Sequence, residues 1–352
     1  MVSKLILSIS ALQSTGDKYF AKGLFPSFRE NKTFCYQRPD SNIFASASIA
    51  FILKEIKPLL SDVNDVDTIL NGILQNYPLY RNKDGLDTYN FWPTKPSRHF
   101  PNGYIMQHFI HFKLPDDIDD TALIYLTNNC KLEQVNWLKA KLGKHTDGDN
   151  VYSTWFAENM PIEHDVCALC HLIYLVFDAK TSLNSFDLAT LQFLNNVIVS
   201  FDFLNKTFWF SRHYATIPLI IYHYARLLGK FEIPALAQAK ETLLTIIPKL
   251  FELERIWLNK VLLQTAYFKI SGSFKEKSIM EWNGLNEPWE QNLNIQPFYS
   301  FIGAPFAPLR NTFLSNLASN KNLQLGWKSK AHELTLALEN VVLRNNLSSA
   351  NN

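Results

Sequence analysis

The stretch Leu114–Leu126, LPDDIDDTALIYL, places four carboxylates within five positions and then runs straight into an apolar segment. Pro115 suits a first helical turn, and Asp116, Asp117, Asp119 and Asp120 gather where backbone N–H groups lack partners and the helix dipole is positive. One or two acids satisfy that need. Four repel one another within a turn, so the stretch predicts a helix start together with a surplus of carboxyl groups that calls for a chemical use.

Outward from this point helical periodicity dominates. Apolar spacing predicts helices near 3–14, 42–59, 63–76, 117–139, 164–178, 187–204, 213–228, 233–250, 253–268 and 328–344. Segments rich in Pro, Gly and Asn, such as YRNKDGLDTYNFWPTKPSRHFPNG and FIGAPFAPLRN, separate them. No strand pattern stands out. The expected fold class is all-α: a single domain over residues 1–344, with a polar, disordered tail at 345–352. Helices in such number form either an open solenoid or a closed ring of pairs. The absence of a shared repeat favours the closed (α/α) toroid.

With 352 residues, 47% of them hydrophobic, the chain can bury a large core. The net charge of +2, without a basic block, argues against nucleic acid as a partner. Four cysteines are too few for a disulfide scaffold, and no run of roughly 18 uncharged apolar residues spans a bilayer. A cytoplasmic protein is the expectation.

Asp116, Asp117 and Asp120 spell D-D-x-x-D, which resembles the magnesium clamp of class I terpene synthases. The second metal motif of that family has no counterpart; NSFDLATLQ, the nearest string, lacks the acids. Asp117-Ile118-Asp119-Asp120-Thr121-Ala122 instead resembles the D-x-D-D-T-A motif of squalene–hopene cyclase-like, class II terpenoid cyclases. DKYFAKGLFPSFRE is similar to turns closing the first helices in that superfamily, and AHELTLALENVV is similar to its closing helix. Protein prenyltransferase β-subunits share the toroid.

The resemblance implies that Asp119 protonates an alkene or epoxide, supported by Asp117 and Asp120. It also implies an aromatic cavity for a hydrophobic small molecule, with no cofactor. Candidate substrate-binding residues are Trp92 and Trp155, with Arg98 and His99 from the loop FWPTKPSRHFPNG. The chain departs from the cyclases in lacking their glutamine–tryptophan repeats. It is also long enough for one toroid only, so a homodimer or second subunit would complete a site between two. The remaining expectations are a non-catalytic toroid that binds a partner or hydrophobic ligand, and a carbohydrate-active toroid using a carboxylate pair among Asp119, Glu163 and Asp165.

EHDVCALCHLIYLVFDA, Glu163–Ala179, holds the other polar cluster. CALCH matches the c-type haem attachment string, but the run that follows is helix core. His164, Cys167 and His171 share a helix face at spacings of three and four. Asp165-Val-Cys167 resembles the zinc pair of prenyltransferase β-subunits, which makes Asp165, Cys167 and His332 the alternative zinc set. His213, Tyr222 and His223 fall on an aromatic helix and read as core or ring lining.

Overall fold

A computed structural model describes residues 1–97, 99–108, 115–155, 160–214, 216–272, 279, 282–284, 298–303 and 316–350. The described chain is mostly helical. In chain order it runs α1 (Val2–Ala11), β1 (Phe28–Asn31), β2 (Tyr36–Pro39), α2 (Phe44–Ile56), α3 (Asn64–Leu74), α4 (Ile118–Thr127), α5 (Leu132–Leu142) and α6 (Val166–Asp178). There follow α7 (Ser185–Val199), α8 (Asp202–Asn205), α9 (Thr207–Phe210), α10 (Ile217–Lys230), α11 (Ala237–Leu253), α12 (Trp257–Ser271), β3 (Phe301–Gly303), β4 (Leu325–Lys328) and α13 (Lys330–Ala350).

Burial sorts the helices into two groups. All of α4 is buried, as are α6 from Val166 to Val176 and α10 from Pro218 to Leu228. Helices apolar all round belong in the interior. By contrast α3 buries Val66, Ile69 and Ile73, and α11 buries Ala239, Leu243, Ile247 and Phe251, each a single stripe at helical spacing. The interior helices pack in cyclic order: α2 on α4, α4 on α6, α6 on α10, α10 on α12, α12 on α13, and α13 back on α2. The striped helices lie against them, α3 on α2, α7 on α6, α11 on α12 and α1 on α13. At the α10–α12 contact a Cβ on Gly229 would come within 2.7 Å of the Lys269 carbonyl oxygen, so glycine sets how closely these two helices approach.

The all-α expectation is corrected by an antiparallel sheet in the order β2-β1-β4-β3. Phe28 pairs with both Pro39 and Lys328, and Phe301 pairs with Trp327. Strands of three or four residues are too short to show alternation, and β1 finds its second partner at the far end of the sequence. Side chains reinforce the pairing: Asn31 Nδ2 donates to the carbonyls of Asn322 and Gln324, both at 2.8 Å, and Tyr299 Oη donates to Glu30 at 2.8 Å. A Cβ at Gly326 would meet the Tyr299 ring at 2.3 Å, so that position has room for hydrogen alone.

Two boundaries also differ from expectation. The helix expected over 117–139 is broken between Thr127 and Leu132, where Asn129 takes a positive φ of 50°. The polar tail expected from residue 345 continues α13 as far as Ala350. Among the described residues no helix is long and apolar enough to cross a membrane.

Candidate acid site at two helix N-termini

Asp117 and Asp165 are the N-caps of α4 and α6. Asp117 accepts from the Asp120 backbone N–H at 2.8 Å, and Asp165 from that of Cys167 at 2.9 Å. Thr154 ties the two helix starts together. Its carbonyl accepts from Ile118 N–H at 3.0 Å, and its hydroxyl accepts from Asp165 N–H at 2.9 Å. The four aspartates of the box are all buried, with different partners.

Asp116 is held by amides and a hydroxyl: Asn82 Nδ2 and Thr88 Oγ1 donate to it at 2.5 Å and Asn90 Nδ2 at 3.3 Å. Asp119 accepts from His171 Nδ1 at 2.5 Å and from the Tyr214 hydroxyl. Burial lowers the His171 pKa despite Asp119, so the ring is neutral and donates through Nδ1. Asp120 reaches Asp117 through its backbone N–H, and its side-chain Oδ1 has no partner. Burial, then the charges of Asp117 and Asp119, push Asp120 well above the usual carboxylate range. Burial and then Asp119 raise Asp117 to about 7. Clustered carboxyls cannot all ionise in a buried site. Burial and mutual repulsion therefore favour the protonated form of Asp120 more than in an ordinary carboxyl.

Asp117, Asp119 and Asp120 line a cavity of about 20 Å³ with Phe91, Thr154, Trp155, Ala168, His213 and Phe301. That is room for roughly one water. His213 forms one wall. Its ring lies parallel to Phe301 at 5.0 Å and edge-on to Trp155 at 5.6 Å. Its Nε2 meets Glu163 Oε1 at 3.0 Å, its backbone N–H donates to Asp165 Oδ2 at 3.0 Å, and the Ile302 N–H donates to its carbonyl at 2.8 Å. Burial pulls the His213 pKa down, but hydrogen bonding and charge from Glu163 outweigh it and raise it to about 9. Burial raises Glu163, yet His213 and Arg212 bring it below the usual value. The cavity is thus walled by an imidazolium whose counter-ion is Glu163, opposite a carboxylic acid.

The sequence candidates divide. Asp117, Asp119, Asp120 and Trp155 come together at the cavity. Trp92 does not line it. Its Nε1 donates to Asp40 at 3.0 Å, the carboxylate of the fully buried Arg29–Asp40 ion pair. His99 packs on Trp92 at 5.0 Å, and Arg98 lies outside the described residues. Asp165 accepts from Ser211 Oγ at 2.9 Å as well as from Cys167 N–H and His213 N–H, and His332 Nδ1 meets Ser300 Oγ at 2.7 Å. Among the described residues no group of three or more His, Cys, Asp or Glu side chains is placed to hold a metal ion, which removes the alternative zinc set of Asp165, Cys167 and His332. Burial pushes the thiols of Cys167 and Cys170 well above their usual range, consistent with packing.

Sequence reading missed Tyr214 and the wall formed by Phe91 and Phe301. The string SRHYAT, a polar run just before an apolar helix, was the available signal for Tyr214. The chain matches no known protein family, no curated protein and no solved structure.

Proposed function

We propose that the chain is an acid catalyst on an (α/α) toroid. The cyclic packing order of the interior helices, with striped helices outside, supports the toroid. One observation carries the chemistry: three buried carboxyls, Asp117, Asp119 and Asp120, line one cavity, and Asp120 has an unpartnered Oδ1. Their crowding and burial push Asp120 toward its protonated form. A general acid must hold its proton at working pH and sit within reach of the acceptor. In this reading Asp120 is the donor and Asp117 its hydrogen-bonded partner. Asp119 is oriented beside them by His171 and Tyr214. These roles reassign the proton donor, which the D-x-D-D-T-A resemblance places on Asp119.

For a class II cyclase-like reaction the acceptor is an alkene or epoxide of an isoprenoid. Proton transfer leaves a carbocation, which the faces of Phe91, Trp155 and Phe301 and the nearby carboxylates favour. An isoprenoid needs far more room than one water, so this substrate requires Trp155 or Phe301 to move aside. A second reading is hydrolysis of a glycosidic bond, for which the cavity has room for the attacking water but, as for an isoprenoid, needs its wall to open for the substrate. Its neighbourhood holds a protonated Asp120 and a Glu163 whose pKa is lowered, two carboxyls pushed apart as acid and base chemistry requires.

Purified protein, Asp120→Asn and Asp119→Asn are each incubated with squalene and with C10–C20 isoprenoid diphosphates, and extracts are analysed by gas chromatography–mass spectrometry. Cyclised product that disappears in Asp120→Asn supports the cyclase reading. Product that persists in Asp120→Asn but not in Asp119→Asn returns the donor to Asp119. No product from natively folded wild type rejects isoprenoids, and parallel assays on aryl glycosides then test the second reading.

A further inference from the structure

β3 separates two spaces. Phe301 faces the acid cavity, and the next residue, Ile302, lines a cleft of about 640 Å³ on the opposite side. Alternate residues of a strand face opposite sides. The volume lies within the roughly 300–1,000 Å³ typical of small-ligand sites. The chemistry of the cleft differs from that of the core. Trp209 is 44% exposed, and the Tyr299 ring packs on Gly326. The Asn205 amide is exposed. Asn322 keeps its Nδ2 for a ligand while its Oδ1 accepts from Thr33, and Gln324 keeps its Oε1 while its Nε2 donates to the Ala318 carbonyl at 2.9 Å.

We propose that this cleft binds an oligosaccharide. A sugar ring has an apolar C–H face and a rim of hydroxyls that both donate and accept. An exposed indole face matches the first, and amides, which carry donors and an acceptor together, match the second. The cleft is also built firmly. The Asn31 amide is fixed on two carbonyls across the sheet, and Tyr299 is anchored on Glu30. Single-stranded nucleic acid also stacks on aromatics, but its phosphates need a basic groove. Lys32, Lys206 and Lys321 share this cleft with Glu30, and the whole chain carries only +2. The site is separate from proton transfer at Asp120, so it stands whether or not isoprenoid turnover is found.

Binding is measured by calorimetry on the full chain with cellohexaose, maltohexaose, a galacturonate hexamer and a thymidine decanucleotide. At least one oligosaccharide is expected to bind, and Trp209→Ala to weaken it by roughly three- to tenfold through the lost ring face. Melting temperature and circular dichroism are expected to hold, because Trp209 is a surface residue. Asn205→Ala, also on the surface, provides a second variant and is expected to weaken the same ligand. Stronger binding of the galacturonate with steep salt dependence assigns the lysines a role and supports the proposal; equal binding of neutral chains supports it through the amides. No binding by any oligosaccharide, binding of the decanucleotide alone, or affinity unchanged in both variants overturns it.

Discussion

Replacing Asp117 with asparagine isolates the proton held by the acid cluster. Asparagine caps helices about as well as aspartate, so the contact to Asp120 N–H, 2.8 Å in the native protein, is expected to persist. What changes is the charge. The Asp117 carboxyl titrates from the ordinary 3.8 in the unfolded chain but from about 7 when folded. Between those values the folded state binds more protons. The stabilisation is therefore complete below the unfolded value and is lost as pH rises through the folded one. About 3 units at 1.36 kcal/mol each amount to about 4 kcal/mol over the whole window, and about 3 kcal/mol of it falls between pH 5 and 8.5. Asp117 is fully buried, so solvent screening does not reduce the figure.

Buried His171, His223 and His332, all with lowered pKa, titrate over part of the same range with the opposite sign. The wild-type profile alone is therefore not diagnostic, and the difference between variant and wild type cancels the histidines. In urea unfolding at the two pH values, Asp117→Asn is expected to gain about 3 kcal/mol on wild type between pH 5 and 8.5. Relief of Asp120 from its neighbour's charge can only add to this. A gap that changes by less than about 0.5 kcal/mol would mean that Asp117 is already ionised at pH 5. The cluster would then hold no proton on that carboxyl, which refutes the raised pKa of Asp117; the donor role of Asp120 is tested by its own variant, Asp120→Asn.

Tyr214→Phe removes one of the two donors to buried Asp119, and should cost about 1.5–3 kcal/mol in urea unfolding at neutral pH. An unchanged midpoint would show that His171 alone satisfies Asp119. Gly229→Ala places a methyl 2.7 Å from the Lys269 carbonyl oxygen, and should destabilise the protein by about 1–3 kcal/mol even though alanine is the better helix former. A gain in melting temperature would show that α10 and α12 are free to separate.

The helices were legible because the interior ones are apolar on every face and the outer ones carry a stripe; both patterns are local. The break after Thr127 was not, since α4 and α5 together keep helical spacing and only Asn128 and Asn129 mark the turn. The sheet was illegible for a different reason. FREN and LGWK mean nothing as strands until the chain brings them side by side. At the site, the box announced its excess of charge and a helix start at Asp117, although Pro115 and Asp116, read as part of the first turn, precede the cap. What distinguishes Asp119 from its neighbours is its bonding to His171 and Tyr214, 52 and 95 residues away in sequence. Trp92 looked like cavity lining because aromatic side chains serve both uses, and only its bond to Asp40 separates them.

The pairing of β1 with β4, together with the packing of α2 on α13, also constrains how the chain can fold. A growing polypeptide makes β1 and α2 well before the elements that cover them, β4 and α13. Until α13 arrives, one flank of α2 has no neighbour, and β1 has an unpaired edge. Contacts so distant along the chain are slow to form, because their loop entropy is lost before any contact rewards it. The nascent protein therefore passes through a long-lived stage with a bare apolar helix and an open strand edge. That stage is the most vulnerable to aggregation and the one for which a chaperone would matter most.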